Sequence, residues 1–156
     1  SSIYNTRMSD YRAGLRDITS LDRDIHIALV VSEFNSSYTE QLEQENRTFL
    51  ESLGFQRITT YSVPWAFEIP GFTRKLLERD HYDLILTLWV IIRGETPHFD
   101  YVSSETARGI MDLTRTYDTA IIFGILTCNT EEQVRERIGH GFAIAGLNLL
   151  TEIQKL

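Results

Sequence analysis

The feature that most constrains this chain is a regular alternation of short apolar runs with segments of helical spacing. Continuous apolar stretches such as Leu84–Leu86 and Ala120–Phe123 lack the strict alternation of one-sided strands, as expected of parallel strands covered on both faces. The four β-rich runs are His26–Val31, Ile58–Val63, Asp83–Ile92 and Ala120–Leu126. Because a helical segment follows each run, the order predicts an α/β fold, a three-layer α-β-α sandwich around a four-stranded parallel sheet.

Start and stop signals predict where the helices lie. The first is expected to begin after Asn35 and to end at Gly54, since glycine suits a helix C-terminus. A later helix is expected to be capped by Asn129, with Glu132 three residues on, and to run to Arg137. The other predicted helices are Pro70–Arg79, about Asp100–Arg115, and a last one that follows Gly139 and Gly141 and ends near Lys155.

The composition limits the possible classes of function. With 156 residues, an apolar share of 42% and a charged share of 24%, the chain suits one soluble globular domain. Its formal charge of -7 argues against nucleic acid as a partner, because that binding depends on Lys and Arg neutralising phosphates. The single cysteine, Cys128, excludes an intramolecular disulfide and favours a cytoplasmic location.

The two ends of the chain differ in character. Residues 1–24 carry scattered charges and no long apolar run, so we predict an N-terminal arm rather than a signal peptide or membrane anchor. Residues 25–156 contain all the predicted strands and helices and are expected to form the α/β domain. No membrane association is predicted.

Candidate site residues follow the ends of the predicted strands, because an open parallel sheet binds ligands beyond the carboxyl ends of its strands. The segments concerned are Phe34-Asn35, 63–69, Arg93–His98 and 127–129. The third combines a glycine, a threonine hydroxyl, a histidine and a helix start, which together suit an anion such as phosphate.

Single residues in these segments leave alternatives open. His98 is a candidate general acid and base, since histidine exchanges protons near neutral pH, or else an ordinary surface residue. Arg137 is either a phosphate clamp or part of a solvated helix face. Phe34 is either a stacking platform for a flat heterocycle or a core residue. The remaining histidines are not spaced as metal ligands, so no metal is predicted.

Several separated motifs resemble one family. The segment Ile92–Val102, which reads IRGETPHFDYV, resembles the signature of the lumazine synthases almost letter for letter. Val63–Pro70 (VPWAFEIP), Phe123–Thr127 and Glu131–Arg137 are similar to three further motifs, and Phe34-Asn35 fits the first one. The resemblance extends from about Ile25 to the C-terminus and implies a flavodoxin-like fold.

The resemblance also implies an activity. The family condenses 5-amino-6-ribitylaminouracil with 3,4-dihydroxy-2-butanone 4-phosphate to 6,7-dimethyl-8-ribityllumazine, phosphate and water, with no cofactor. His98 would shuttle protons and Arg137 would pair with the phosphate. The implied substrate-binding residues are Phe34 on the pyrimidine, Ala66, Phe67 and Glu68 on the ribityl chain, Val90, Ile91 and Ile92 around the ring, and Gly94, Glu95 and Thr96 on the phosphate. Phe123 would come from a neighbouring subunit, because family pockets lie between protomers of a pentamer or of a sixty-subunit icosahedral shell.

Three features differ from the family pattern. Trp65 and Trp89 stand where the family has glycine, and His140 lies in a shortened link that lacks the family's lysine and acid. These differences favour a second hypothesis, a non-catalytic homologue that acts as an oligomeric scaffold or a flavin- or lumazine-binding protein. A flavodoxin-like electron carrier is disfavoured, since the phosphate-like loop follows the third predicted strand rather than the first.

Overall fold

The computed structural model describes residues 13–94 and 97–156, which form a parallel sheet covered by helices. The strands are β1 (Ile27–Ser32), β2 (Ile58–Val63), β3 (Leu84–Ile92) and β4 (Ala120–Cys128). The helices are α1 (Ser36–Ser52), α2 (Ile69–Arg79), α3 (His98–Thr116), α4 (Glu131–Arg137) and α5 (Gly141–Ile153). Every strand pairing is parallel, in the order β2-β1-β3-β4, so the predicted α/β fold is confirmed.

The sheet separates two apolar cores. Along β3 the side chains of Leu86, Leu88 and Val90 pack on the face covered by α1, α4 and α5. Trp89 and Ile91 lie on the opposite face, covered by α2 and α3. Because both faces are covered, the strands need apolar residues at every position, which explains their continuous apolar runs.

Helix α1 ends just before Gly54, the glycine that the sequence predicts at its C-terminus. Leu53 closes the helix, and Gly54 adopts a φ of 95°, a conformation that disfavours residues with a Cβ. The N–H of Phe55 donates to the carbonyl of Leu50 at 3.1 Å, and the Phe55 side chain is fully buried. This arrangement satisfies a free helix-end carbonyl and returns the chain to the core.

The predicted cap of α4 is wrong by one residue. Strand β4 continues two residues beyond Leu126, so Asn129 belongs to the connection and Thr130 becomes the last non-helical residue. The Thr130 hydroxyl accepts from the N–H of Gln133 at 3.2 Å, and the Gln133 side chain accepts from the N–H of Asn129 at 2.7 Å. Thr130 therefore caps the helix in place of Asn129, and Gln133 in place of Glu132 bonds back to the backbone before it.

Residues 13–24 pack on the domain. Ile18 and Leu21 are buried in the core on the α5 side. The N–H of Arg16 donates to Asn148 of α5 at 2.9 Å. Lys155 and Arg16, each with a nitrogen 2.9 Å from the carboxylate of Glu152, lower the pKa of that carboxyl. The predicted boundary between arm and domain stays a prediction, and residues 1–12 lie outside the described residues.

Candidate functional site

A cavity of about 510 Å³ opens at the carboxyl ends of β2 and β3, on the side covered by α2 and α3. It is lined by Phe34, Trp65, Ala66, Phe67, Glu68, Trp89, Ile91, Ile92, Gly94, His98, Phe99, Tyr101 and Val102. Most of the residues that the motifs single out therefore lie around one space. Its location agrees with the expectation for an open parallel sheet.

The wall after β2 is a short 3-10 turn, Ala66–Glu68, that leads directly into α2. Ala66 is buried, and its carbonyl accepts a hydrogen bond from the Thr106 hydroxyl of α3 at 3.4 Å. Helix α3 comes close because Gly109 faces Pro70, where an added Cβ would lie 2.7 Å from the proline ring. The turn is thus held in place while Phe67 and Glu68 stay exposed at the cavity.

The mouth of the cavity carries an aromatic pair. Ser32 pairs with Val63 in the sheet, and Phe34 and Trp65 each come two residues later. Their ring centroids are 5.0 Å apart, with the planes tilted by 33°. Phe34 is 44% exposed and Trp65 is 54% exposed, so Phe34 is not a core residue.

The second tryptophan is placed very differently. Trp89 is 2% exposed and contributes to the floor of the cavity beside Ile91. Its indole N–H has no acceptor among residues 13–94 and 97–156.

His98 lies at the opposite wall, as the first residue of α3. The carbonyl of Pro97 accepts from the N–H groups of Asp100 and Tyr101, which closes the first turn. Arg93 stabilises this helix start, since its guanidinium lies 3.4 Å from Asp100 and 5.5 Å from the ring centroid of Phe99. The imidazole is exposed, where it can exchange protons with water and with a ligand.

Three lining residues were missed in the sequence. Phe99, Tyr101 and Val102 follow His98 in the same motif and line the same cavity. The helical spacing of i, i+3 and i+4 places Tyr101 and Val102 on the face of α3 that carries His98. This helical spacing could have identified Tyr101 and Val102 as lining residues from the sequence.

Arg137 approaches from a different direction. It ends α4, and its guanidinium donates to the carbonyl of Thr127 at 3.4 Å and lies 3.8 Å from the Cys128 sulfur. The carbonyl of Cys128 also accepts from the N–H of Arg93 at 2.8 Å. Arg137 therefore lies beside the strand end that leads into the glycine loop, although it does not line the cavity that contains Phe34.

Two other predicted site residues lie away from this cavity. The Val90 side chain packs in the opposite core, while its carbonyl accepts from the Asn35 side chain at 3.0 Å. Phe123 lies within β4, roughly 16 Å before Cys128 at about 3.3 Å per residue. Glu95 and Thr96 lie outside the described residues.

His140, in the shortened link, stacks on Phe49 of α1. The ring centroids are 4.1 Å apart and the planes differ by 4°. Phe49 is partly buried against the core on the α1 and α5 side, so the imidazole packs against that layer.

Within residues 13–94 and 97–156, no three histidine, cysteine or acidic side chains are grouped so that they could hold a metal ion. No helix in the described part of the chain is long and apolar enough to cross a membrane.

Comparisons with known proteins agree on one family. A profile of the 6,7-dimethyl-8-ribityllumazine synthases matches residues 24–150. The enzyme of that name from Limosilactobacillus reuteri is 42% identical over 113 residues, which are 72% of this chain and 74% of the relative. The one from Campylobacter jejuni subsp. doylei is 36% identical over 136 residues, 86% of this chain and 88% of the relative. The predicted resemblance is confirmed, and the chain belongs to the 6,7-dimethyl-8-ribityllumazine synthase family.

Proposed function

We propose that this chain condenses 5-amino-6-ribitylaminouracil with 3,4-dihydroxy-2-butanone 4-phosphate in riboflavin biosynthesis. The products are 6,7-dimethyl-8-ribityllumazine, phosphate and two water molecules. The observation that carries the proposal is the cavity shared by Phe34, the Ala66–Glu68 turn and His98. It combines an aromatic platform, a polar backbone edge and a proton carrier around one space.

The pyrimidine occupies the end of the cavity near β1 and β2. Its ring stacks on Phe34, while Ile91 and Ile92 enclose it from β3. The ribityl hydroxyls bind along the exposed turn, Ala66–Glu68, where the polar edge and the Glu68 carboxylate offer hydrogen-bonding groups. Val90 contributes through its backbone, since its side chain packs in the opposite core.

The phosphate of the second substrate binds at the loop that starts with Gly94. Gly94 is exposed at the cavity, and an added Cβ would meet no atom within 4 Å, so a ligand can approach its backbone closely. We assign Glu95 and Thr96, which lie outside the described residues, to the same phosphate. Arg137 supplies the positive charge from the β4 side.

The chemistry needs proton transfers and close contact of the two substrates. The 5-amino group attacks the ketone, and loss of water leaves an imine. Proton removal and departure of phosphate give an enol, which becomes a ketone. The ribitylamino nitrogen attacks that ketone, and loss of the second water closes the ring. His98, exposed at the cavity wall, carries these protons. The atoms balance without an oxidant or reductant, so we propose no cofactor.

The complete site is proposed to form in an oligomer, a pentamer or a shell of pentamers. Phe123 does not line the cavity of its own protomer, so it is assigned to a neighbour's site. Large apolar side chains such as Tyr101 and Met111 are 74% and 57% exposed, as expected of a protomer with an uncovered interface. Light scattering of the purified protein measures the assembly. We place the enzyme in the cytoplasm, where the buried thiol of Cys128 is chemically suited.

A steady-state assay of lumazine formation tests the activity. Product absorbance above the uncatalysed background, with saturation in both substrates, is the expected result. A folded oligomer that produces no lumazine above background would contradict the proposal and would leave the scaffold or binding hypothesis. The relatives from Limosilactobacillus reuteri and Campylobacter jejuni both carry the synthase name, and neither supports that alternative.

A further inference from the structure

We propose that Trp65 is a specificity-determining residue, a movable second wall that closes over the pyrimidine ring. In the free protein its indole lies against Phe34, with the ring centroids 5.0 Å apart and the planes tilted by 33°. When the pyrimidine enters, the indole swings aside and then stacks on the outer face of the ring, so that Phe34 and Trp65 hold the ring between them. The inference rests on the proposed function, because it assigns the occupant of the same cavity.

The spacing of the two rings shows why the indole must move. The centroids of Phe34 and Trp65 are 5.0 Å apart. A flat ring inserted between two aromatic planes needs about 7 Å, two contact distances of about 3.5 Å each. The pair is thus too close to admit the pyrimidine between its two rings.

The surroundings of Trp65 allow that movement. The backbone is anchored, since the carbonyl of Trp65 accepts from the N–H of Glu68 at 3.1 Å and the next residue, Ala66, is buried. The indole itself is 54% exposed, and no side-chain hydrogen bond holds it in the described part of the chain. Exposed side chains change rotamer within nanoseconds, so the opening needs no rearrangement of the fold.

The strength of the contact between Phe34 and Trp65 decides whether Trp65 can act as a gate, an indole that swings aside for the pyrimidine, or closes the site permanently. Stacking of two such rings changes an equilibrium by only about two- to tenfold. The Phe34–Trp65 contact is tilted by 33° and leaves both side chains about half exposed, so opening gives up little contact, whereas the bound pyrimidine gains a stacked ring on each of its faces. Trp89 provides the contrast, because at 2% exposure it packs in the core and forms the floor of the cavity.

The two walls predict an effect on one substrate only. The pyrimidine offers a flat ring to both Phe34 and Trp65, whereas the butanone phosphate has no ring to stack. Loss of the indole should therefore weaken binding of the pyrimidine and leave binding of the butanone phosphate unaffected.

The first experiment follows the indole directly under anoxic conditions. The pyrimidine alone is added to the full-length protein and to Trp65→Phe, and the difference between their emission spectra isolates Trp65 from Trp89, the other tryptophan of the chain. We expect a saturable change in Trp65 emission. Binding that leaves this emission unchanged would overturn the proposal, since the indole would then not contact the ring.

The second experiment separates the substrates by steady-state kinetics. Trp65→Ala should raise the KM for the pyrimidine about tenfold and leave the KM for the butanone phosphate within twofold. Trp65→Phe, which keeps a stacking ring, should stay within about threefold of the parent protein. An unchanged or lower KM for the pyrimidine in Trp65→Ala would overturn the proposal, because the indole would then be a bystander or an obstruction.

The two experiments also distinguish this inference from the proposed function. Turnover by the parent protein with no effect of Trp65→Ala supports the enzyme and overturns the gate. Pyrimidine binding that changes Trp65 emission, without any lumazine formation, supports the gate and overturns the enzyme. Absence of both binding and turnover overturns both.

Discussion

The side-chain carbonyl of Asn46 in α1 accepts a 2.9 Å hydrogen bond from the backbone N–H of Ala143 in α5. Ala143 is the third residue of α5, so its N–H is one of the donors that a helix leaves unpaired at its start. The amide nitrogen of Asn46 donates in turn to the carbonyls of Leu42 and Gly139. Asn46 therefore caps α5 from a different helix and fixes the shortened link before it.

Replacement of this residue should destabilise the fold. Asn46→Ala leaves the Ala143 N–H and the Gly139 carbonyl without these partners in a buried region, which should cost about 1–3 kcal/mol in the free energy of unfolding. Chemical denaturation at a fixed protomer concentration measures it. Gln44→Ala on the same helix is the matched control, since Gln44 makes an exposed bond to Thr48. Equal midpoints for the two variants would contradict the capping role.

A second prediction concerns the close packing of β4 at Gly124 against β3 and α5. A Cβ at Gly124 would collide with the carbonyl oxygen of Thr87 and lie 2.7 Å from the Leu88 side chain and 3.3 Å from Phe142. Gly124→Ala should therefore destabilise the protein by about 1–3 kcal/mol through overpacking. Gly71→Ala in α2 is the control, because a Cβ there meets nothing within 4 Å and alanine favours helix. A Gly124 variant as stable as the Gly71 variant would show that the strand can shift at little cost.

These contacts show which parts of the fold can be predicted from sequence. The strands were located to within two residues because both faces of the sheet are covered, which leaves long apolar runs without polar interruptions. The end of α1 was located because a φ of 95° favours glycine. The capping role of Asn46 has no local signature, since it depends on a partner 97 positions away along the chain.

The candidate site, like the fold, could be predicted from the sequence only in part. Its location followed from topology, and the helical spacing after His98 was sufficient to indicate Tyr101 and Val102. The contact between Phe34 and Trp65 depends on the register of β1 with β2, which no local pattern reveals. The differing positions of Trp65 and Trp89, one exposed and one buried, likewise follow from tertiary packing.

The phosphate role of Arg137 can be tested by its selectivity between substrates. Arg137→Ala should raise the KM for the butanone phosphate roughly tenfold or more and leave the KM for the pyrimidine within about twofold, because one charge-assisted bond to phosphate is removed. Arg135→Ala on the same helix is the control, since Arg135 is exposed and its guanidinium lies 3.4 Å from the hydroxyl of Tyr38. An equal rise in KM for both substrates would argue that Arg137 instead supports the end of β4 through its bond to the Thr127 carbonyl.

The proton-transfer role of His98 predicts a loss of turnover rather than of binding. His98 is exposed at the start of α3, so His98→Ala should fold as the parent does, and the helix start keeps the contacts of Arg93 with Asp100 and Phe99. General acid and base catalysis contributes about 10²- to 10⁴-fold, so kcat should fall by about 10²-fold or more while both KM values change by less than about threefold.

The matched control for this prediction is Val102→Ala, which trims a lining side chain on the same face of α3 without removing an ionisable group. We expect it to alter KM more than kcat. Single-turnover measurements then identify the step, because the slow phase in His98→Ala should be lumazine formation and not product release. A His98 variant with the kcat of the parent would exclude the imidazole from the chemistry, and water in the open cavity would then carry the protons.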